Sequence, residues 1–196
     1  MSNGLVVLDG DGVLWDYDQH FKVVASRTLG RDVHKVMDVH LLEYRYNISS
    51  EEKALVQKAF EDEWYNIPEL PHAQALVEGV KSLDYDIVLL TAIPESAGDH
   101  RRRRVSDLGW DFKDVITVPL LGAAESKGRV VKDLNPVAIL DDNPENVSRC
   151  FCDLPVLLHL GYNDLSRPED HVTVIDDPMD FVVILDDYTR RTNMSM

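Results

Sequence analysis

The chain has 196 residues, 44% hydrophobic and 28% charged, which suits one sizeable globular domain or a core with a small appended one. Acidic residues outnumber Lys plus Arg by 35 to 20, and the net charge of −15 should repel duplex nucleic acid except at a local basic patch, while a small phosphate could still be held through a divalent cation. No uninterrupted apolar stretch nears the ~20 residues of a membrane span, and the chain enters its first strand with no signal peptide ahead of it, so a cytoplasmic protein is expected.

Leu5-Val6-Val7-Leu8 predicts a short, fully buried strand of the kind found inside parallel sheets. It runs into Asp9-Gly10-Asp11-Gly12, so charge begins where the strand ends, and the glycines allow a sharp turn with exposed peptide groups. Taken alone, this could be an ordinary Asp-Gly turn. Beyond it, Phe21, Val24, Val33, Val36, Met37, Val39, Leu41 and Leu42 recur at roughly helical spacing. Ser49 and Glu52 form a capping box for a helix reaching Trp64, and Pro68 and Pro71 interrupt the pattern. His72 to Leu83 is helical again. Three or four helices thus separate the first two strands, where a simple crossover unit needs only ~30 residues in all. The excess predicts a small helical cap over residues 16–70, inserted into a core of residues 1–15 and 71–196.

Asp86 to Leu90 is a second core strand, ending at Thr91 and Ala92. A helix over about 96–108 carries Arg101-Arg102-Arg103-Arg104, which point all round it and read as a solvated face with some salt bridges; a partly phosphate-facing surface is the alternative. Further strands are expected at Val115–Val118, Val137–Leu140, Val156–Leu160 and, at an edge, His171–Ile175. Ser126-Lys127-Gly128 should open a helix that Asn135-Pro136 stops, and a last helix should run from Pro178 to about Tyr188, with Thr189–Met196 frayed. Cys150 and Cys152 are too close for an easy disulfide and lack a second pair for zinc, so they read as reduced core thiols. Alternating strands and helices predict an α/β fold: a Rossmann-like three-layer core with a mainly parallel sheet, plus the cap after the first strand.

A parallel sheet would bring three strand ends to one edge: Asp9 and Asp11, Thr91, and Asp141 with Asp142. Lys127 should start a helix near that edge, although Lys132 is also a candidate for the site lysine. Clustered carboxylates repel one another unless a cation sits among them, and all-oxygen ligation favours Mg²⁺. These motifs resemble the haloacid dehalogenase superfamily: Asp9-Gly10-Asp11-Gly12-Val13 matches its first motif, Thr91 its second, Lys127 its third and Asp141-Asp142 its fourth. The likeness covers about residues 4–16 and 86–160, and the insert falls where that superfamily places one type of cap.

The resemblance implies a phosphatase in which Asp9 is the nucleophile forming an aspartyl-phosphate and Asp11 the general acid and base. It implies Mg²⁺ held by Asp9, the Asp11 carbonyl and Asp141, with Asp142 binding through water or orienting the site. It makes Thr91, the Ala92 amide and Lys127 the groups that bind the phosphoryl oxygens. The expected substrate is a small phosphorylated metabolite such as a nucleotide. Asp9 to Tyr17 is also similar to the first motif of 5′(3′)-deoxyribonucleotidases, in which case Trp15 or Tyr17 would stack on a base; both could equally be packing residues. Asp16 and Asp18 read as hinge or surface residues, and Asn143 and Glu145 as turn and cap residues. A nucleic-acid end-processing phosphatase and a non-catalytic, receiver-like phospho-acceptor module are the alternatives; the sequence leaves the oligomeric state open.

Overall fold

The computed structural model describes residues 2–37, 39, 41–161 and 169–194. Strands β1 (Leu5–Leu8), β2 (Asp86–Ala92), β3 (Asp114–Val118), β4 (Ala138–Asp141), β5 (Leu154–Leu158) and β6 (Thr173–Ile175) form one sheet. Its order is β3-β2-β1-β4-β5-β6, and every neighbouring pair is parallel. Successive strands step outward from β1 in one direction and from β4 in the other. The strand order therefore reverses between β1 and β4, and a crevice opens at their carboxyl ends.

Side chains alternate across the sheet with period two. Val6, Leu8, Ile87, Leu89 and Leu140 face a large core shared with α4 (Ala73–Ser82) and α8 (Pro178–Met194). Val7, Val88, Leu90 and Ile139 face a smaller core with Val131 of α6 (Ala123–Leu134) and with Cys150, beyond the end of α7 (Pro144–Ser148). Helices on both faces give the expected three layers. Cys150 is buried in the smaller core with Cys152 packed against it, both as free thiols.

The insert after β1 holds α1 (Tyr17–Leu29), α2 (Leu42–Tyr46) and α3 (Ser50–Phe60). Asp16 caps α1 by accepting from the Gln19 amide at 3.0 Å, and Gly30 ends it in the left-handed region. The Ser49–Glu52 capping box forms as expected. The helical spacing read through Val33 to Leu42 does not make a continuous helix: Gly30 closes α1, and among the described residues helix is next found at the five-residue α2, with Val36, Met37 and Leu41 exposed. The insert joins the core through two antiparallel stretches: Asp16 N donates to Pro68 O at 2.8 Å, and Leu70 N to Leu14 O at 2.9 Å.

Other boundaries also differ from expectation: α3 ends at Phe60 rather than Trp64, and β6 begins at Thr173 rather than His171. The helix carrying Lys127 starts at Ala123, three residues before Ser126, after Gly122 with φ 71°. Strand β5 begins and ends two residues early, at Leu154 and Leu158. The last helix does not fray at Thr189: Tyr85 Oη donates to Thr189 Oγ1 at 2.7 Å and Thr189 Oγ1 to Leu185 O at 2.8 Å, so helix runs to Met194; Ser195 and Met196 lie outside the described residues.

Candidate functional site

The period-two alternation builds the site. Val7 faces α6, so Asp9, two residues on and just past β1, faces the same way. Ile139 also faces α6, so Asp141, the last residue of β4, does too. From α6 comes Lys127, fully buried despite its charge. Its Nζ donates to Asp141 Oδ2 at 2.6 Å and lies 2.9 Å from Asp9 Oδ1. Lys132, the other candidate, is on the exposed side of α6.

Gly128 lets Lys127 reach so deep. A Cβ there would stand 2.6 Å from the Arg149 carbonyl oxygen, so α6 presses directly on the backbone that follows α7. Gly128→Ala would gain about 1 kcal/mol of helix propensity. The clash is with backbone and cannot be relieved by a rotamer change, so overpacking of roughly 1–3 kcal/mol should win. We expect a lower denaturation midpoint; an unchanged midpoint would mean that α6 is free to shift.

Asp141 is sealed off. Oδ1 accepts from the Asn143 amide at 2.8 Å and from Asn146 Nδ2 at 3.1 Å, while Oδ2 accepts from Lys127 and from Asn146 at 3.2 Å. Asp142 is 7% exposed and lines a cleft of about 1590 Å³ together with Asp9, Asp11, Thr91, Ala92 and Lys127. Asp142 meets the cleft, and Asp141 stands behind it holding the lysine. Asn143 is a cap residue as read, its Oδ1 accepting from Glu145 N at 2.9 Å. Asn146 was missed; its signal is a place in the first turn of α7, where a side chain can reach back to the strand end.

Carboxylate oxygens of Asp9, Asp141 and Asp142 all lie within 4.8 Å of one another. Burial, reinforced by the Asp141 charge, pushes the Asp9 carboxyl up to about 7, against the pull of Lys127. Burial and then the Asp141 and Asp9 charges hold Asp142 well above the usual carboxylate range. Burial alone would lower the Lys127 ammonium, but Asp141 and Asp9 outweigh it and the group is raised. Among the described residues, three clustered carboxylates meet one ammonium, and Oδ1 of Asp9 is held by the Lys127 ion pair at 2.9 Å. An all-oxygen donor set with surplus negative charge fits a hard divalent cation such as Mg²⁺.

Thr91 is buried beside the first loop, its Oγ1 only 2.9 Å from where a Cβ on Gly10 would stand. Gly12 has φ 88°, a value that suits glycine, and lets the loop close on itself with Gly12 N donating to Trp15 O at 2.9 Å. Asp11 turns away from the carboxylate cluster; its Oδ1 accepts from Arg101 Nη2 at 2.6 Å. Arg101, on α5 (Gly98–Asp107), is fully buried, so the expectation of a solvated arginine face fails at this residue. Its neighbours also have acidic partners: Arg104 with Glu69, Arg102 with Asp99 at 2.9 Å and Arg103 with Asp107 at 3.5 Å. Trp15 is fully buried and Tyr17 packs against Phe21, Phe60 and Trp64, and both also line the cleft. Asp16 is the α1 cap, and Asp18 lines the cleft and pairs with Arg45.

No family model and no curated protein matches this sequence. Solved structures do match. A haloacid dehalogenase-like family hydrolase from Streptococcus pneumoniae superposes with a TM-score of 0.64 at 12% identity, over 92% of this chain and 97% of its own. A predicted phosphatase from Clostridium acetobutylicum gives 0.65 at 13%, over 95% and 100%. CbbY from Rhodobacter sphaeroides, solved in complex with phosphate, gives 0.59 at 11%, over 90% and 95%. Across nearly its whole length, this chain has the fold of the haloacid dehalogenase-like hydrolases.

Proposed function

We propose that this chain is a Mg²⁺-dependent phosphomonoester hydrolase acting through an aspartyl-phosphate. One observation carries the reading: Asp9, Asp141, Asp142 and Lys127 converge, buried, at the carboxyl ends of adjacent parallel strands and beside an open cleft. The fold shared with a haloacid dehalogenase-like hydrolase and a predicted phosphatase supports it.

Asp9, Asp142 and the backbone carbonyl of Asp11 would hold Mg²⁺, with Asp141 positioning Lys127 behind them. Bound there, the ion would neutralise charge on the phosphoryl oxygens. An Asp9 carboxylate oxygen attacks phosphorus; the phosphorus–oxygen bond to the leaving group breaks as Asp11 gives that oxygen a proton. Water then attacks the same phosphorus, Asp11 takes its proton back, and inorganic phosphate leaves with Asp9 restored. Thr91, the Ala92 amide and Lys127 steady the transferring group throughout.

The substrate we favour is a small phosphorylated metabolite such as a nucleotide, for which a cleft of about 1590 Å³ leaves ample room. The test is phosphate release from a panel containing 4-nitrophenyl phosphate, phenyl phosphate, nucleoside monophosphates and sugar phosphates, with Mg²⁺ or with chelator. Turnover that needs Mg²⁺ is expected. A stably phosphorylated protein without turnover would favour a phospho-acceptor module instead, and no reaction with any ester would defeat the proposal.

A further inference from the structure

The proposed reaction needs Asp11 to exchange a proton twice, with the leaving group and then with water. The following inference rests on that reading. Asp11 stands two residues past β1 in a loop flanked by Gly10 and Gly12, so its own backbone does little to fix its side chain. Among the described residues, its carboxylate accepts one hydrogen bond, to Oδ1 from Arg101 Nη2 at 2.6 Å. Asp11 lines the cleft, with its side chain 21% exposed.

Arg101 is built into the interior. Ala97, Arg101 and Val105 stand four residues apart on the inward face of this segment, and all three are buried. The guanidinium carbon lies 4.1 Å from the centroid of the Trp15 ring and 5.9 Å from that of Trp64. Trp15 is itself backed by Trp110 at 5.5 Å, and Trp110 Nε1 donates to Gln74 Oε1 at 2.7 Å. The guanidinium is thus held over the Trp15 ring, which Trp110 braces from behind. Yet Nε and Nη1 of Arg101 are buried without hydrogen bonds among the described residues. Leaving such groups unmade costs stability, and a buried ion pair can often be replaced by packed apolar side chains without loss. The arrangement is a poor device for stability and a good one for fixing a carboxylate.

We propose that Arg101 is a positioning residue for Asp11. It grips Oδ1 and leaves Oδ2 to carry the proton: Oδ2–H gives it to the leaving oxygen as the phosphorus–oxygen bond breaks, and Oδ2 recovers it from water as water attacks phosphorus. Trp15 and Trp64 fix the guanidinium and so relay the packing of the insert to the proton-transfer group.

The test compares two esters of similar size. Phenolate is a poor leaving group that needs the proton, whereas 4-nitrophenolate departs readily without it. A positioned general acid contributes about 10²–10⁴-fold where it is needed. Arg101→Gln should therefore lower kcat on phenyl phosphate at least about tenfold more than on 4-nitrophenyl phosphate. Arg101→Lys keeps the charge but lacks the stacked planar fork and should recover part of the loss. In an Asp11→Asn background, Arg101→Gln should cost nothing more, because its effect passes through Asp11. Equal losses on the two esters, no loss on either, or a further loss in the Asp11→Asn background would overturn the assignment. Should Arg101→Gln fail to fold, Arg101→Lys carries the same comparison. If the wild-type chain hydrolyses neither ester, the hydrolase reading itself fails; if it hydrolyses both and the selectivity is absent, only the role of Arg101 is lost.

Discussion

Asp9→Asn should abolish the proposed phosphate release and leave the metal-free protein at least as stable as wild type at pH 8. The first half follows from chemistry. An amide is nearly isosteric with the carboxylate but has no anionic oxygen to attack phosphorus, and removing a covalent nucleophile costs on the order of 10³-fold or more in kcat. The second half follows from the electrostatics of the cluster. The Asp9 carboxyl is raised from an ordinary 3.8 to about 7, by burial first and the Asp141 charge second. Its folded-state value lies above its unfolded one, so whatever stability it contributes is complete below about pH 4 and is lost as pH rises through 7. At pH 8 the wild type carries a buried charge that its fold resists, and asparagine does not. A melting curve and a phosphate-release assay on one preparation check both halves. Full activity in the variant would remove Asp9 from the reaction; a large drop in melting temperature would make the carboxylate structural.

This opposition between function and stability also explains what the sequence could and could not disclose. Asp9 was readable because an apolar run ends abruptly in carboxylates, which is rare at a buried strand end unless charge is wanted there. The Ser49–Glu52 box was readable because capping is local and needs only three residues of context. Arg101 was not. Arginine is almost never fully buried, so four in a row read as solvent-facing. The contrary signal, its spacing of four from Ala97 and Val105, weighs little until Trp15 is known to lie beneath the guanidinium. The order of Asp141 and Asp142 was hidden for another reason. Two adjacent carboxylates are chemically alike, and only the pleat of β4, set by Ile139 facing α6, decides which one meets Lys127. The spacing through Val33 to Leu42 misleads because an apolar period can run on past a helix end: Gly30 stops α1, and helix is next found from Leu42.

Lys127→Met should be the most destabilising single change in the site. Methionine fills the space of the lysine stem, so the packing loss is small and the effect isolates the charge. What remains is Asp9, Asp141 and Asp142, buried and mutually repelling, with no ammonium among them. Breaking a buried pair by removing one partner costs about 3–5 kcal/mol. For a chain of this size, that corresponds to a melting temperature lower by roughly 10 °C. The deficit should depend on pH in one direction. Lys127 is raised above its ordinary 10.5, so it is charged in folded and unfolded chains alike across pH 5–8 and does not itself generate a slope. Asp9 and Asp142 are both raised, and Lys127 is among the groups that pull them down, so losing it drives both higher. As pH climbs from 5 to 8 the unfolded chain has already ionised them while the folded one resists, and the stability of the variant falls more steeply than that of wild type. Mg²⁺ should recover part of the loss, because a divalent cation restores to the cluster the positive charge that the substitution removed. Melting curves at several pH values, with and without Mg²⁺, read all of this. A deficit that is flat with pH and indifferent to Mg²⁺ would mean that Lys127 acts by packing, and that the three carboxylates are neutralised by some other group.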